Sequence, residues 1–240
     1  FAAWLAEARR HPIPLIPLAD RALAAGDDCH GRTVAATALL RQQLSPAPGG
    51  AEARFLEQGP SFFLNLWMAA CRCMLTAAAG EPGASLVVAA GGNGRETGIQ
   101  LAGLPGRWFR APARPPRGHL GPWPEDRALG AIGDSAIVDV LGFGAMAMAH
   151  APAQREALGR FMPADGLQRP AELLAARHPA FRRVVAYCGL PARRVVALGR
   201  TPLISLGILD ARGEAGRLGG GIYEMPLEPF AEAVAALDAA

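Results

Sequence analysis

The sequence predicts an α+β protein, predominantly helical, with a few short strands and a hairpin. Apolar residues recur at helical spacing along most of the chain, whereas the strand-like runs are short and few. These runs do not alternate with helices in the βαβ rhythm that a parallel sheet requires. Of the 240 residues, 51% are hydrophobic and 19% are charged, a balance typical of a folded protein.

Helical periodicity dominates the chain from its first residues to its last. Pro46–Gly50 breaks the pattern, Ser61 is placed to cap a long helix after Pro60, and Gly142 and Gly144 interrupt a later helical stretch. The helices predicted in this way are Ala2–Arg10, Leu18–Ala25, Thr33–Leu44, Ser61–Ala79, Asp134–Ala149, Gln154–Phe161, Ala171–Cys188 and a last one from Glu228.

Strand signals are confined to two regions. Ser85–Ala90 and Ile99–Leu104 are apolar runs on either side of Asn93-Gly94, a pair of residues that favours a tight β-hairpin turn. Pro105–Pro124 is rich in Pro, Arg and Trp, and we expect an irregular arm that wraps over the core. Short strands are predicted near the end of the chain at Val195–Leu198, Leu203–Leu209 and Gly221–Glu224.

The composition excludes several kinds of chemistry. All 24 basic residues are arginine, so Schiff-base catalysis and a P-loop lysine are excluded. A bound anion must then be held by arginine, backbone N–H groups or neutral donors. The net charge of +3 comes from scattered arginines, which does not indicate a nucleic-acid surface. No apolar run reaches the length needed to cross a membrane.

The four cysteines do not indicate a disulfide framework in a chain of this length. Cys71 and Cys73 lie two residues apart in a helical pattern, so they point to different faces and are poor zinc ligands. We therefore expect reduced thiols, a cytoplasmic location, and neither a metal nor a cofactor. A homo-oligomer is possible.

The domain organisation leaves two arrangements open. One is a helical segment over residues 1–50 followed by a mixed body over residues 51–240, and the other is a single continuous domain over residues 1–240. The sequence opens with Phe1 inside a helical pattern, from which we expect the C-terminal part of a longer protein.

The densest group of reactive side chains is the segment from Gly26 to Thr33. Asp28 and His30 could form an imidazole oriented by a carboxylate, and Arg32 could clamp an anion near the start of the following helix. The alternative is structural: an aspartate caps that helix, and His30 and Arg32 make surface hydrogen bonds. Cys29 is expected to be a small buried residue.

Other candidate binding residues lie in separate segments. Asn65 falls on a polar stripe of an otherwise apolar helix, together with Ser61, Arg72 and Thr76, and this stripe faces either solvent or a wet cleft. The further candidates are Asn93 and Arg95 at the hairpin turn, Asp134 at a helix start, and Arg200 in a loop that could approach an anion. Ordinary turns and caps are the alternative for each.

Taken in order, several segments resemble one family. They are Gly26-Asp27-Asp28-Cys29-His30-Gly31-Arg32, Pro60–Asn65, Asn93-Gly94, Arg107–Pro112, Gly133–Ile137, Ala145–Ala149 before Ala151-Pro152, and Gly221 with Pro226. The set is similar to the AllG (YlbE-type) family, which includes a subunit of the oxamate carbamoyltransferase of anaerobic allantoin breakdown. Many members have an Asn-containing version of Gly31-Arg32-Thr33, from which this chain departs.

The resemblance implies a reaction, partners and a longer protein. The reaction exchanges a carbamoyl group between oxalurate and phosphate, giving oxamate and carbamoyl phosphate. The implied partners are FdrA-like and AllH-like subunits, and family members carry an additional N-terminal region.

We therefore expect a subunit of a carbamoyltransferase that acts on a small anionic substrate. Such a reaction needs anion clamps and donors for a tetrahedral oxyanion more than it needs a cofactor. In this hypothesis His30, oriented by Asp28, transfers protons. Substrate binding is assigned to Arg32, Asn65, Asn93, Arg95, Asp134 and Arg200. The alternatives are a non-catalytic scaffold subunit of such a complex and an enzyme of the same family for another small anion.

Overall fold

The computed structural model describes residues 2–8 and 10–240. Ten α-helices lie in this part of the chain, together with short 3₁₀ turns and antiparallel strands, which confirms the α+β class. The helices are α1 (Ala2–Ala8), α2 (Leu15–Ala24), α3 (Val34–Gln43), α4 (Gly50–Gln58), α5 (Phe62–Thr76), α6 (Ala136–Leu141), α7 (Pro152–Leu158), α8 (Arg169–Leu173), α9 (Ala192–Leu198) and α10 (Glu228–Asp238). The predicted helix Ala2–Arg10 includes Arg9, which lies outside the described residues.

The strands form three small antiparallel sheets. They are β1 (Val87–Asn93), β2 (Glu96–Leu101), β3 (Phe109–Pro112), β4 (Arg117–His119), β5 (Ile132–Gly133), β6 (Ala176–Arg177), β7 (Tyr187–Cys188), β8 (Leu203–Leu209) and β9 (Arg217–Glu224). The first sheet has the order β3-β2-β1-β5, the second β4-β9-β8, and the third pairs β6 with β7. The hairpin of β1 and β2 around Asn93-Gly94 confirms the predicted turn.

Helix α5 lies at the centre of the packing, against α2, α3, α6 and β1. Its buried face carries Phe63 and Trp67, whose rings stack, and the edge of Trp67 also meets Phe143. Residues on both sides of residue 50 contribute to the same hydrophobic core, since Leu18 and Leu40 belong to it with Trp67. Packing on several sides is what an almost wholly apolar helix requires.

The start of α5 is capped by tertiary contact rather than by its own sequence. Ser61 makes no capping hydrogen bond, contrary to the prediction. Instead the hydroxyl of Thr37 in α3 accepts from the backbone N–H of Phe63 (3.2 Å) and donates to the carbonyl of Pro60 (2.8 Å). One hydroxyl thus satisfies a free N–H at the helix start and joins α3 to α5.

Two predictions near the end of the chain were wrong. The predicted helix Ala171–Cys188 is only α8, which ends at Leu173, followed by β6 and β7. Pro179, further along, also cannot continue a helix. The predicted strand Val195–Leu198 is the end of α9, although valines favour strands. Gly199 follows with φ of +60°, and its backbone N–H donates to the carbonyl of Val196. A glycine in this conformation ends a helix, and here it outweighed the strand propensity of the valines.

The proline-rich arm contains more regular structure than expected. Over Pro105–Pro124 the chain adds β3 to the first sheet and β4 to the second, so the arm is partly strand. The interruption at Gly142 is confirmed, since α6 ends there and a 3₁₀ helix over Gly144–His150 follows.

Candidate functional site

The acidic pair of the Gly26–Thr33 segment organises the local backbone. Asp28 Oδ1 accepts from the backbone N–H groups of His30 and Arg32, each at 2.8 Å, and so holds a turn in which Cys29 has φ of +63°. Asp27 Oδ2 accepts from the N–H of Ala36 in the first turn of α3 (2.8 Å). The aspartate cap expected in the structural interpretation of this segment is therefore present, and Asp27 provides it for α3.

His30 is oriented by a carboxylate, but not by the predicted one. Its Nδ1 lies 2.5 Å from Oδ2 of Asp139 in α6, whereas Asp28 is bonded to backbone. Asp139 Oδ1 accepts two backbone N–H groups, from Ala145 (2.8 Å) and Ser205 (3.0 Å). Asp139 is fully buried and 109 positions from its partner, so no local pattern reveals it.

The pKa values of both members of this pair are raised, for different reasons. Burial by itself would lower the pKa of His30, but the neighbouring carboxylate of Asp139 outweighs it and the pKa is raised. Burial raises the pKa of Asp139 above its ordinary value, against the lowering effect of His30 and the two backbone donors. Burial also raises the pKa of Asp28.

An open hollow on the surface lies over the first sheet. Two adjoining hollows of about 640 and 510 Å³ share Ala90, Trp108 and Asp134, and we call them together the sheet cleft. The remaining lining residues are Asn65, Met68, Ala69, Arg72, Ala89, Gly91, Gly92, Asn93, Glu96, Thr97, Gly98, Gln100, Arg110, Gly133 and Ile137. Neither Asp28 nor His30 lines it, so the predicted acid–base pair is not joined to these residues.

The polar stripe of α5 forms one wall of the sheet cleft. Asn65 and Arg72 are exposed and line it, whereas Ser61 and Thr76 of the same stripe are exposed and do not, so the stripe borders both the cleft and solvent. Asn65 Nδ2 donates to the carbonyl of Phe62 (3.2 Å). Arg72 donates to the carbonyl of Val88 and has no carboxylate partner within the described ranges. Its positive charge is therefore available to a ligand.

The hairpin turn supplies an amide on the opposite side. Asn93 Oδ1 accepts from the backbone N–H of Arg95 (3.0 Å) and of Glu96 (2.8 Å), as its turn role predicts. Its Nδ2 group donates to no residue of the part described, so this amide can serve both the turn and a ligand. Arg95 is exposed at the tip and does not line the cleft.

The remaining wall combines an aromatic ring with charges of both signs. The indole of Trp108 is 46% exposed, which is unusual for so large an apolar side chain. Arg110 pairs with Glu96 at 3.2 Å across β2 and β3. Asp134 is exposed and makes no capping hydrogen bond, so the expected cap role is not seen. The charged lining residues are Arg72, Arg110, Glu96 and Asp134, so the charges of the cleft balance.

Two other predicted anion ligands are engaged elsewhere. Arg32 lies 3.5 Å from Asp27 with its side chain 40% exposed. Arg200 forms ion pairs with Glu172 and with Asp165. The structure therefore brings together Asn65, Asn93 and Asp134, and it leaves Arg32, Arg95 and Arg200 outside the sheet cleft. Sequence analysis missed Trp108 and Arg110 as lining residues, although both belong to the arm that it singled out.

Two kinds of feature are absent from the described residues. Across residues 2–8 and 10–240, no group of three or more His, Cys, Asp or Glu is placed to hold a metal ion. Within the same ranges no helix has the length and apolar character needed to cross a membrane.

The fold and the site define an α+β protein with an open cleft lined by amides, arginines and an exposed indole. The family model described as "Oxamate carbamoyltransferase subunit AllG" matches residues 1–135, a range that contains every lining residue of the cleft except Ile137. The chain is also 34% identical, over 94% of its length, to the oxamate carbamoyltransferase subunit AllG of Escherichia coli (strain K12). The chain belongs to the AllG family, which confirms the resemblance found in its motifs.

Two further proteins are similar. The uncharacterized protein YahG of Escherichia coli (strain K12) is 33% identical over 89% of this chain. A crystal structure of a conserved protein of unknown function from Enterococcus faecalis V583 superposes with a TM-score of 0.86 at 28% identity, covering 95% of this chain and 58% of that one. The chain spans 58% of the length of AllG and 49% of YahG.

Proposed function

We propose that this chain acts as a subunit of a carbamoyltransferase complex in the cytoplasm, and that the sheet cleft holds its small anionic substrate. The reaction transfers a carbamoyl group between carbamoyl phosphate and oxamate, giving oxalurate and phosphate, and it is reversible. One observation carries the proposal: Asn65, Asn93, Trp108 and Asp134, from four separate segments, line the same cleft.

The shape of the substrate suits the exposed indole. Oxamate and oxalurate are flat, conjugated anions, and a flat ligand can stack on the face of Trp108. An unoccupied indole exposed to this degree leaves apolar surface in water, which ligand binding would cover. Arg72, which has no carboxylate partner in the described part of the chain, then supplies the opposite charge for the carboxylate.

Neutral donors suit the transition state. When the oxamate nitrogen attacks the carbamoyl carbon, the carbonyl oxygen becomes a tetrahedral oxyanion, and then the bond to phosphate breaks. The Nδ2 group of Asn93 can donate to this oxyanion while its Oδ1 remains in the turn. A donor fixed in this way needs no reorganisation during the reaction, which is the main source of electrostatic catalysis.

A group is also needed for the proton that leaves the oxamate nitrogen. In this proposal Asp134 accepts it, because Asp134 is the exposed carboxylate of the cleft that has no ion-pair partner among the described residues. Proton transfer is therefore assigned to Asp134 and no longer to His30, which is 7% exposed and bonded to Asp139. In this proposal His30 stabilises the fold through its contact with Asp139 of α6 and does not bind the substrate.

A scaffold role is the second candidate, and the charge balance of the cleft favours it. Arg110 is paired with Glu96, so Arg72 is the remaining cation against Asp134. A partner subunit of the FdrA-like or AllH-like kind would then have to bring further positive charge to this surface, or hold the whole active site itself.

The test uses the full-length protein reconstituted with both partner subunits. We expect Asn93→Ala and Arg72→Gln each to lower kcat/KM for oxamate by about 100-fold, the loss typical of one oxyanion or anion donor. Arg155→Gln is the matched control, because Arg155 is exposed on α7 and outside the cleft. Full activity of both cleft variants, together with calorimetry that detects no oxamate binding to the isolated subunit, would leave only the scaffold role.

A further inference from the structure

The two adjoining hollows of the sheet cleft differ in their charged residues. The hollow of about 510 Å³ is lined by Arg72 and the hollow of about 640 Å³ by Arg110, and we call them the Arg72 hollow and the Arg110 hollow. Trp108 and Asp134 line both, so these two side chains lie at the boundary between them. Ligand pockets commonly measure about 300–1,000 Å³, so each hollow is large enough for a ligand of its own.

The position of Arg110 depends on a glycine of the neighbouring strand. Gly98 of β2 pairs with Arg110 of β3. A Cβ atom on Gly98 would lie 3.0 Å from Cγ of Arg110 and 3.3 Å from Cε3 of Trp108. Because Gly98 has no side chain, both residues can lie close against β2, where they line the Arg110 hollow.

The ion pair of Arg110 leaves its charge available to a ligand. The side chains of Arg110 and Glu96 are 61% and 46% exposed, and ion pairs between exposed side chains contribute little to stability. A doubly charged anion forms stronger, charge-assisted hydrogen bonds with a guanidinium group, so it can displace the carboxylate of Glu96. The cleft therefore has a second cation besides Arg72.

The reaction proposed above has two anionic substrates, and the residues assigned to them divide between the two hollows. Asn93, the donor assigned to the carbamoyl oxygen, lines only the Arg110 hollow. Arg72, assigned to the carboxylate of oxamate, lines only the other hollow. Asp134, assigned to the proton of the oxamate nitrogen, lies at the boundary, where the two substrates would have to meet.

We propose that the sheet cleft binds its two substrates side by side, with carbamoyl phosphate in the Arg110 hollow and oxamate in the Arg72 hollow. Arg110 is then a further substrate-binding residue, because its planar guanidinium group matches the oxygens of the phosphoryl group in pairs. This inference rests on the proposed function of the cleft.

The transfer step takes place at the boundary of the two hollows. The oxamate nitrogen attacks the carbamoyl carbon with its lone pair, and the proton of that nitrogen passes to Asp134. The bond between the carbamoyl carbon and the phosphate oxygen then breaks. Phosphate leaves with the electron pair of this bond and takes up the proton, so the products are oxalurate and phosphate.

The experiment measures the steady-state kinetics of the full-length protein reconstituted with both partner subunits, with each substrate varied in turn. Arg110→Gln should raise KM for carbamoyl phosphate at least about tenfold and change KM for oxamate less than about twofold. Arg72→Gln should show the opposite pattern. Glu96→Gln should lower KM for carbamoyl phosphate about two- to threefold, because Arg110 then has no competing carboxylate. Arg155→Gln, which changes an exposed arginine outside the cleft, is again the control.

Inhibition by the product phosphate gives a second measurement. Arg110→Gln should raise the inhibition constant of phosphate at least about tenfold, and Arg110→Lys, which keeps the charge, should restore part of the affinity. Circular dichroism of each variant verifies that it is folded.

The outcomes separate this assignment from the function on which it rests. An effect of Arg110→Gln on neither KM value, on both equally or on that for oxamate alone would overturn the assignment, and so would an unchanged inhibition constant for phosphate. In each of these cases an active wild-type complex leaves the carbamoyltransferase proposal standing. A wild-type complex that transfers no carbamoyl group to oxamate would overturn both.

Discussion

Replacing Asp139 should destabilise the protein more than any other single change of a polar residue in the core. Its carboxylate is fully buried and accepts from Ala145 and Ser205 while it pairs with His30 at 2.5 Å. Breaking a buried ion pair costs about 3–5 kcal/mol, and a buried N–H without a partner costs about 1–3 kcal/mol. These terms overlap, so we expect Asp139→Ala to lose about 4–6 kcal/mol of unfolding free energy.

The variant Asp139→Asn removes the charge of the side chain and keeps its shape. The amide oxygen can still accept from the backbone N–H groups of Ala145 and Ser205, and only the ionic bond to His30 is lost. We therefore expect a smaller cost than for alanine, about 3 kcal/mol, the lower end of the range for a broken buried ion pair. Since a domain of this kind is stable by about 5–15 kcal/mol, the asparagine variant should fold, and the alanine variant should be close to the limit.

The assay is urea unfolding, followed by tryptophan fluorescence, because Trp67 is completely buried in the core. Equal costs for the alanine and asparagine variants would refute the assignment of the two backbone hydrogen bonds. A cost below about 1 kcal/mol for alanine would refute the pair itself, because burying a charged His30 without its carboxylate partner costs more than that.

The same variants differ in their pH dependence. The pKa of His30 is raised by Asp139, so the stability it contributes is complete below the unfolded value of about 6.5 and is lost as pH rises through the folded value. The raised pKa of Asp139 acts in the same direction, because its ionised form is disfavoured. Wild-type stability should therefore fall between pH 6 and pH 8, roughly the range around the unfolded pKa of histidine. In Asp139→Asn this fall should disappear or reverse, and an unchanged slope would contradict the argument.

Two more predictions concern the backbone around buried carboxylates. Gly144→Ala should cost about 2–4 kcal/mol in urea unfolding, because φ is +60° and the new Cβ would overlap the carboxylate of Asp139. Gly199→Ala, at the same φ with open space around it, should cost only about 1 kcal/mol, and equal losses would contradict the role of Asp139. Asp210 accepts from Arg127 and from the backbone of the following loop, and these bonds hold its pKa well below the usual range. The contribution of Asp210 to stability should therefore be complete above about pH 4 and be lost as pH falls towards the folded pKa, and thermal unfolding of Asp210→Asn should show less of this decline at low pH.

Local chemistry determined much of the secondary structure. Asn93-Gly94 specified its hairpin because few dipeptides adopt that turn, and Leu203–Leu209 was predicted with the bounds that the structure has for β8. The polar stripe of α5 was also visible, since helical spacing alone places Asn65 and Arg72 on one side. The predicted helix Ala171–Cys188 and the predicted strand Val195–Leu198 were wrong. The first contains Pro179 and the second is followed directly by Gly199, so the sequence itself holds signals against both predictions.

The partners of the polar groups were decided only by tertiary structure. Asp28 is two residues from His30, yet its carboxylate is used by the backbone, and the imidazole is bound by Asp139 from a distant helix. Likewise Trp108 joins the cleft because β3 pairs with β2. Turns and helix stops depend on the dihedral angles of a few adjacent residues, whereas a buried ion pair or a cleft depends on how distant segments pack. The sequence therefore determined the family, many of the elements and three of the residues that line the cleft, and packing determined which polar groups meet.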